Sequence, residues 1–306
     1  MSKKNTQKLT QELLEELNNQ IEKAKESSEF EKILDFYSQF HNYSYKNILL
    51  IKSQCPGASL VKGYKQWKEL DRYVMPKKER KEKEEVKVDP IRILAPNFYY
   101  KDHKVIKNQK ELEEAKQKAN QYKTYRIEKK EGKKVLQQEK IYFSYANIYD
   151  ISQTEGKPIP QMDLDLENNF AILKSILIDY CNEKNLEVKF KSFTDQHEGY
   201  QRKNKIVINE DKNETTQASI IIHELAHYFL HNKCSRKEKL NKEIKEMEAE
   251  AVAYVVMNHF NIEIKSDKYL ALYKTSYDLK ESLEKINDIS SSIIDYCDKY
   301  LLSGEN

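Results

Sequence analysis

The 306-residue chain predicts an α+β fold in two parts, and three observations carry that expectation. Apolar side chains at helical spacing mark both ends of the chain, and a middle stretch rich in Tyr, Phe and Ile marks strands. The third observation is segregated charge. Residues 36–140 hold 26 Lys+Arg against 14 Asp+Glu, while the remainder holds 27 against 36. The overall +3 therefore hides one region at +12 and another at −9. A basic region suits a polyanionic partner, and the acidic remainder does not. A lysine-rich, glycine-poor composition alone would raise the basic count without segregating it.

Taken in order, Leu9, Leu13, Leu17 and Ile21 repeat every four residues and predict a helix over 6–25. Helices continue over 28–54, with Phe30, Leu34 and Tyr37 on one face, until Pro56-Gly57 stops the run. A short amphipathic piece follows at Tyr64–Leu70. Residues 76–90 are a charge run between prolines and predict an exposed connection. Strands are expected at Ile91–Leu94 and Asn97–Tyr100, then a helix at 108–121. A hairpin follows, its arms Tyr125–Glu128 and Val135 onward flanking Glu131-Gly132. Ile141–Ile151 is a further strand. Gln153–Asp163 has turn chemistry and is read as the boundary, which gives domains 1–157 and 158–306. Beyond it come a helix (166–183), strands (186–191 and 200–209) and helices (214–232 and 241–258), then helices to the end. That order predicts a mixed helical and β N-terminal domain and a helix-rich C-terminal domain with a small sheet.

Several classes are excluded. No apolar run approaches the roughly 18–20 residues that span a bilayer, and the polar N-terminus is not a signal peptide. With a mean hydropathy of −0.87, the expectation is a protein without membrane association. Cys55, Cys181, Cys234 and Cys297 are scattered without C-x-x-C spacing. That argues against a disulfide framework or a thiolate metal site, and fits a reducing cytoplasm.

Chemistry is concentrated in His223-Glu224-Leu225-Ala226-His227. Histidines at i and i+4 project from one helix face and let two imidazoles reach one Zn²⁺. Glu224 then stands beside the open coordination position, able to take a proton from water and return it to a leaving amine. Such a pentapeptide arises by composition in on the order of one chain in a hundred, so context matters. Thr215-Thr216 are candidate caps, and Leu225, Ala226, Phe229 and Leu230 form the apolar side. The strand Lys205–Ile208 lies upstream, where a zinc peptidase keeps the edge strand that pairs with substrate.

Tetrahedral zinc needs a third protein ligand. The next helix offers Glu246, Glu248 and Glu250; Glu246 and Glu250 share a face, while Glu248 points away with Glu243 to a solvated side. Glu246 is favoured as ligand, with Glu250 bonded to a ligand histidine, over the other assignments. For His231, a surface or helix-end role is favoured over a place among the ligands. His41, His103, His197 and His259 read as isolated structural residues. Tyr254, Tyr269 and Tyr273 are either oxyanion donors or core aromatics.

In the basic half, Tyr43, Tyr45, Tyr64, Trp67, Tyr73, Tyr99 and Tyr100 interleave with Lys46, Lys52, Lys62, Lys65, Lys68 and Arg72. Sequence-independent binding of a single strand needs that mixture of stacking faces and cations. The candidate contacts are Tyr43, Lys46, Lys62, Tyr64, Lys65, Trp67, Lys68 and Arg72. Tyr45 and Trp67 fall on apolar helical faces, where a core role is the plainer reading.

His223–His231 followed by Glu246–Met257 resembles the ImmA/IrrE family of zinc metallopeptidases, and more closely the peptidase half of ArdC-like antirestriction proteins. The resemblance implies a zincin-like fold of gluzincin type, with Glu246 as third ligand, being the first acid of a Glu-x-x-x-(Asn, Asp or Glu) pattern, and Glu250 as its partner. The N-terminal half resembles the ArdC-type domain that binds single-stranded DNA. The matching residues are Tyr45–Ile51, Gln54, Pro56-Gly57-Ala58, Val61, Gly63-Tyr64, Trp67, Arg72-Tyr73-Val74, Ile93–Pro96 and Tyr149–Pro158. Two departures stand out: Asp71 occupies the place of the usual glycine before the arginine, and the longer charged segment 76–90 replaces a Lys-Gly-Glu-Lys-Gly turn. The resemblance implies a cytoplasmic protein of a mobile element, with Zn²⁺ as cofactor, that binds single-stranded DNA and acts in antirestriction. Two alternatives are a regulatory protease that cleaves a protein substrate such as a repressor, and a DNA-binding module whose metal site is structural or vestigial.

Overall fold

The structure, a computed structural model, describes residues 3–122, 124–130, 132–159, 166–193, 198–232, 240–262 and 279–303. Cys234, His197, Tyr269, Tyr273, Glu131 and residues 160–163 of the expected boundary lie outside them. The chain forms two compact units, residues 1–14 with 92–146 and residues 15–91 with 147–306.

The N-terminal elements are α1 (Lys3–Lys23), α2 (Ser27–Gln39), α3 (Tyr45–Gln54), β1 (Val61–Gly63), α4 (Tyr64–Glu69), β2 (Arg72–Val74) and α5 (Lys77–Glu82). The middle contains β3 (Ile91–Ile106), α6 (Gln109–Gln121), β4 (Tyr125–Lys130), β5 (Lys133–Asp150) and β6 (Thr154–Gly156). Then come α7 (Leu166–Glu183), β7 (Glu187–Lys191), β8 (Gly199–Arg202), β9 (Lys205–Asn209) and α8 (Glu214–His227). A π-helical turn (Tyr228–Asn232), α9 (Lys242–His259) and α10 (Leu279–Ser303) complete the described elements.

In the smaller unit, β5 pairs with β3 and with β4, the latter in antiparallel register Ile127↔Leu136. The two strands expected at 91–94 and 97–100 are one continuous β3. It is the edge strand of its sheet, where Pro96, lacking a backbone N–H, is tolerated. Helix α6, capped by the Asn108 side chain accepting from the Glu111 N–H, packs against β4. The buried apolar residues of this unit include Leu13, Ile93, Leu94, Ala115, Val135 and Leu136.

In the larger unit, α9 lies at the centre, packed by α8, α10 and α2. Its Ala249, Ala251, Val252, Ala253, Val255 and Val256 are all buried, as are Ile221, Ile222 and Leu225 of α8 and Leu283, Ile286 and Ile293 of α10. The N-terminal helices join this core through polar ties as well. The Tyr37 hydroxyl donates to the Leu283 carbonyl at 3.2 Å, and the Tyr254 hydroxyl to Asp35 Oδ1 at 2.7 Å. Helices from either side of residue 157 thus share one core.

A three-stranded sheet in the order β7-β9-β8 lies beside α8; β7 runs parallel to β9, and β8 antiparallel. The strand Lys205–Ile208 is therefore central, not the expected edge, and β7 and β8 are the edges among the described residues. The run read as one strand over 200–209 is broken by the turn at Lys203-Asn204, where Lys203 takes φ 54 and folds β8 back on β9. Gly199 lets β8 close on α8: a Cβ there would stand 2.5 Å from Ile220 Cγ2.

Two short pairings fix the remainder. β1 joins β5 at Val61↔Asp150, and β2 joins β6 at Arg72↔Gly156. Gly156 has φ +137, and a Cβ there would meet the Asp71 carbonyl oxygen at 2.3 Å. Asp71 itself has φ 54. That left-handed conformation accounts for the resemblance's glycine at this position, and aspartate is among the few other residues that adopt it readily. The segment 76–90 is less free than its charge predicts. It contains α5, and Gln153 Nε2 donates to the carbonyls of Lys87 and Asp89 at 2.6 and 3.0 Å. Arg80 is buried with its guanidinium 5.5 Å from the Tyr149 ring centroid.

Candidate metal centre

Helix α8 starts at Asn213, whose side chain accepts from the Thr216 N–H at 2.8 Å, so the cap is Asn213 and not Thr215-Thr216. Three turns on, the Nε2 atoms of His223 and His227 stand 3.0 Å apart with the rings edge to face. Glu246 reaches them from α9: its Oε2 is 3.5 Å from His223 Nε2 and 3.6 Å from His227 Nε2. These three residues offer donor atoms that all lie within 4.8 Å of one another, and no other His, Cys, Asp or Glu group among the described residues does so. Two ligands bound at about 2.0–2.1 Å to a tetrahedral ion stand about 3.4 Å apart. The three separations bracket that value. A donor set of two imidazoles and one carboxylate thus has the spacing and chemistry of a divalent-cation site.

The surrounding groups hold this set in place. Glu250 Oε2 is 3.3 Å from His223 Nδ1, which leaves Nε2 turned toward the other two donors. Burial opposes protonation of His223, yet the hydrogen bonds it donates to Glu246 and Glu250 outweigh it and bring its pKa to about 9. Hydrogen bonds from His223 and His227 hold Glu246 well below the usual carboxylate range. Glu224 is buried, and burial raises its pKa while His223 and His227 pull it down. Its carboxylate accepts a hydrogen bond from the Gln201 backbone N–H, so the free edge of β8 runs past this acid.

Glu248 corrects the sequence reading. It is fully buried, not on a solvated face, because α10 covers the side of α9 that faces away from the histidines. Ser282 of α10 donates to its carboxylate. Its other oxygen is 3.8 Å from Nδ1 of His231, itself buried on the π-helical turn. The His231 Nε2–H donates to the Lys245 carbonyl at 3.2 Å, next to Glu246 in sequence. His231 is therefore neither in the donor set nor a surface residue; it ties the end of α8 to the start of α9. Tyr254 is spent on Asp35, away from any oxyanion role. His41 and His259, read as isolated, stand edge to face at 4.7 Å. His259 donates from Nδ1 to the Ser38 carbonyl and faces Asp298 with Nε2.

The candidate nucleic-acid residues divide. Trp67 is fully buried and donates from Nε1 to the Tyr149 carbonyl at 2.9 Å. Arg72 donates from Nε to Thr154 Oγ1 and from its terminal nitrogens to the carbonyls of Thr154 and Lys157. The Tyr43 hydroxyl donates to the Val61 carbonyl at 3.1 Å. Lys46 is half-buried beside the Tyr45 ring, and Lys62 is half-buried. Tyr64, Lys65 and Lys68 are exposed. No helix among the described residues is long and apolar enough to cross a membrane.

Comparison with known proteins finds a match in each half of the chain. Residues 3–130 match the N-terminal domain of anti-restriction factor ArdC, and residues 181–276 match the IrrE N-terminal-like domain of peptidase family M78. An uncharacterized protein of Bacillus anthracis is 28% identical over 324 residues, covering 95% of this chain and 51% of its own length. The chain thus spans about half of that relative. The Mn(II)-bound crystal structure of antirestriction ArdC protein from the R388 plasmid aligns over 83% of each chain, at 12% identity and a TM-score of 0.38. Along the chain, a segment similar to the ArdC N-terminal domain thus precedes a segment similar to the IrrE-like domain of peptidase family M78.

Proposed function

We propose that this protein binds single-stranded DNA and hydrolyses peptide bonds at a Zn²⁺ site, in the service of antirestriction in the cytoplasm. The functional units are residues 1–157 and 158–306. One observation carries the enzymatic part: His223, His227 and Glu246 converge with separations of 3.0, 3.5 and 3.6 Å while Glu224 stands beside them at the edge of a sheet.

His223, His227 and Glu246 would hold the ion, which when bound supplies Lewis acidity toward water and the scissile carbonyl. Glu250 fixes the His223 ring through Nδ1. An extended peptide adding to the free edge of β8 would lie across Glu224. Glu224 takes the proton of the attacking water and returns it to the departing amine. Metal analysis of the purified protein tests the reading. The native chain should carry about one zinc and Glu246→Ala far less, whereas Glu224→Gln should keep the metal and lose hydrolysis. A native protein without stoichiometric divalent metal would remove the hydrolase from consideration. Full biological activity in Glu224→Gln would make the metal site structural.

A further inference from the structure

We infer that the middle of the β3–β5 ribbon is the platform on which single-stranded DNA stacks, an inference that rests on the proposed DNA-binding function. Phe98, Tyr99, Ile141, Tyr142 and Phe143 are 57%, 48%, 58%, 52% and 58% exposed, although each is large and apolar. They occupy two short runs on paired strands. A concentration of this kind on a folded surface marks a binding site more often than chance exposure.

Local topology explains why these side chains are uncovered. Among the described residues, β4 pairs with β5 over 133–138, the Glu139 N–H adding a bond to the Thr124 carbonyl, and β1 pairs with it over 148–150. Between those stretches the ribbon is two-stranded, and α6 packs against β4 instead. Successive strand residues alternate between faces. Tyr99 and Tyr142 share one face, their ring centroids 5.9 Å apart, and Asn97 bonds Ser144 on that same face at 2.6 Å. Phe98, Ile141 and Phe143 take the other. Both faces of the ribbon therefore offer aromatic planes.

Charge selects the partner. Residues 92–146 hold 14 Lys+Arg against 7 Asp+Glu. Lys101 and Lys140, two residues along from Tyr99 and Tyr142, fall on the tyrosine face. On the other face the Arg126 guanidinium lies 3.7 Å from the Tyr100 ring centroid. Rings interleaved with cations suit a strand with unpaired bases and phosphates; a duplex hides its base faces. Of the candidates nearer the N-terminus, Trp67 is fully buried, Arg72 and Tyr43 are hydrogen-bonded to the fold, and Tyr64 is an isolated exposed ring.

The test uses the full chain and fluorescence anisotropy with a labelled oligothymidylate of about 30 nucleotides. Tyr99→Ala/Tyr142→Ala and Phe98→Ala/Phe143→Ala should each weaken binding about tenfold or more, with unchanged melting temperature because the positions are exposed. Tyr142→Phe should bind like the native chain, since it keeps the ring. If the native protein binds and both double variants bind equally well, the platform is elsewhere and the DNA-binding function stands. If the native protein does not bind, the function itself fails. If Phe98→Ala/Phe143→Ala dissolves a dimer in sedimentation without changing DNA affinity, the ribbon is a self-association surface and the inference is overturned.

Discussion

Replacing Glu250 separates a residue that holds a ligand from the ligands themselves. Its Oε2 is 3.3 Å from His223 Nδ1, and both side chains are 16% exposed, so the pair sits where water competes weakly. Glu250→Ala leaves the imidazole free to rotate and to place its proton on Nε2, the atom that faces Glu246 and His227. Loss of such a partner typically lowers metal affinity 10- to 100-fold, or about 1.4–2.7 kcal/mol. Glu250→Gln retains an acceptor for the Nδ1 proton, so its loss should fall at the low end of that range. The assay is competition for zinc against a chromophoric chelator, with melting temperature followed in parallel. Affinity within twofold of native in Glu250→Ala would refute the orienting role.

Four further outcomes follow from the geometry. Gly156→Ala should lower stability by about 2–4 kcal/mol in denaturant titration, since a Cβ cannot coexist with the Asp71 carbonyl at φ +137. Gly199→Val pushes β8 off Ile220, and should cut hydrolysis of a peptide while leaving metal content unchanged. Glu29, bonded to Lys32 and Lys52, has its pKa lowered from 4.5 to about 2. Because the folded value is the depressed one, the stabilisation is complete above pH 4.5 and fades as pH falls from there toward 2; Lys52→Met should flatten that slope in acid-unfolding curves. Glu248→Gln should destabilise the fold by about 1–3 kcal/mol, seen as a lower melting temperature, whereas mutation of a solvent-facing acid such as Glu243 should not.

How much of this was legible in the sequence depended on how many elements a feature needs. Two ligands one turn apart on a single helix follow from the residue spacing, and the Glu246–Glu250 face follows from helix geometry alone. Glu248 did not, because its environment is α10, far away in sequence. The signal was nevertheless present: Ala and Val at almost every position of 249–256 describe a helix covered on all sides, where no acid can be assumed to be solvated. The β8–β9 turn was missed because Lys203 adopts a positive φ without a glycine to announce it. The same blindness applied to Arg80, one basic residue in a charged run, which is buried against Tyr149.

The position of α9 also bears on what can be separated from what. The IrrE-like match covers residues 181–276, yet α9 inside that span packs on α2 and α10, both outside it. Asp35 accepts from both Tyr254 and Asn258, and Ser38 receives His259, so α2 closes the C-terminal half of the helix whose N-terminal half presents Glu246. Phe30, Ile33, Leu34 and Tyr37 of α2 are at most 1% exposed. Uncovering the partners of four such side chains forfeits about 1.5–3 kcal/mol for each, comparable to the whole stability of many domains. A fragment limited to the matched segment should therefore fail to fold or to hold metal at micromolar zinc, whereas residues 15–91 supplied with 147–306 should do both. Metal retention by the isolated 181–276 segment, measured by the same zinc competition, would show that the ligand helix stands without its N-terminal brace.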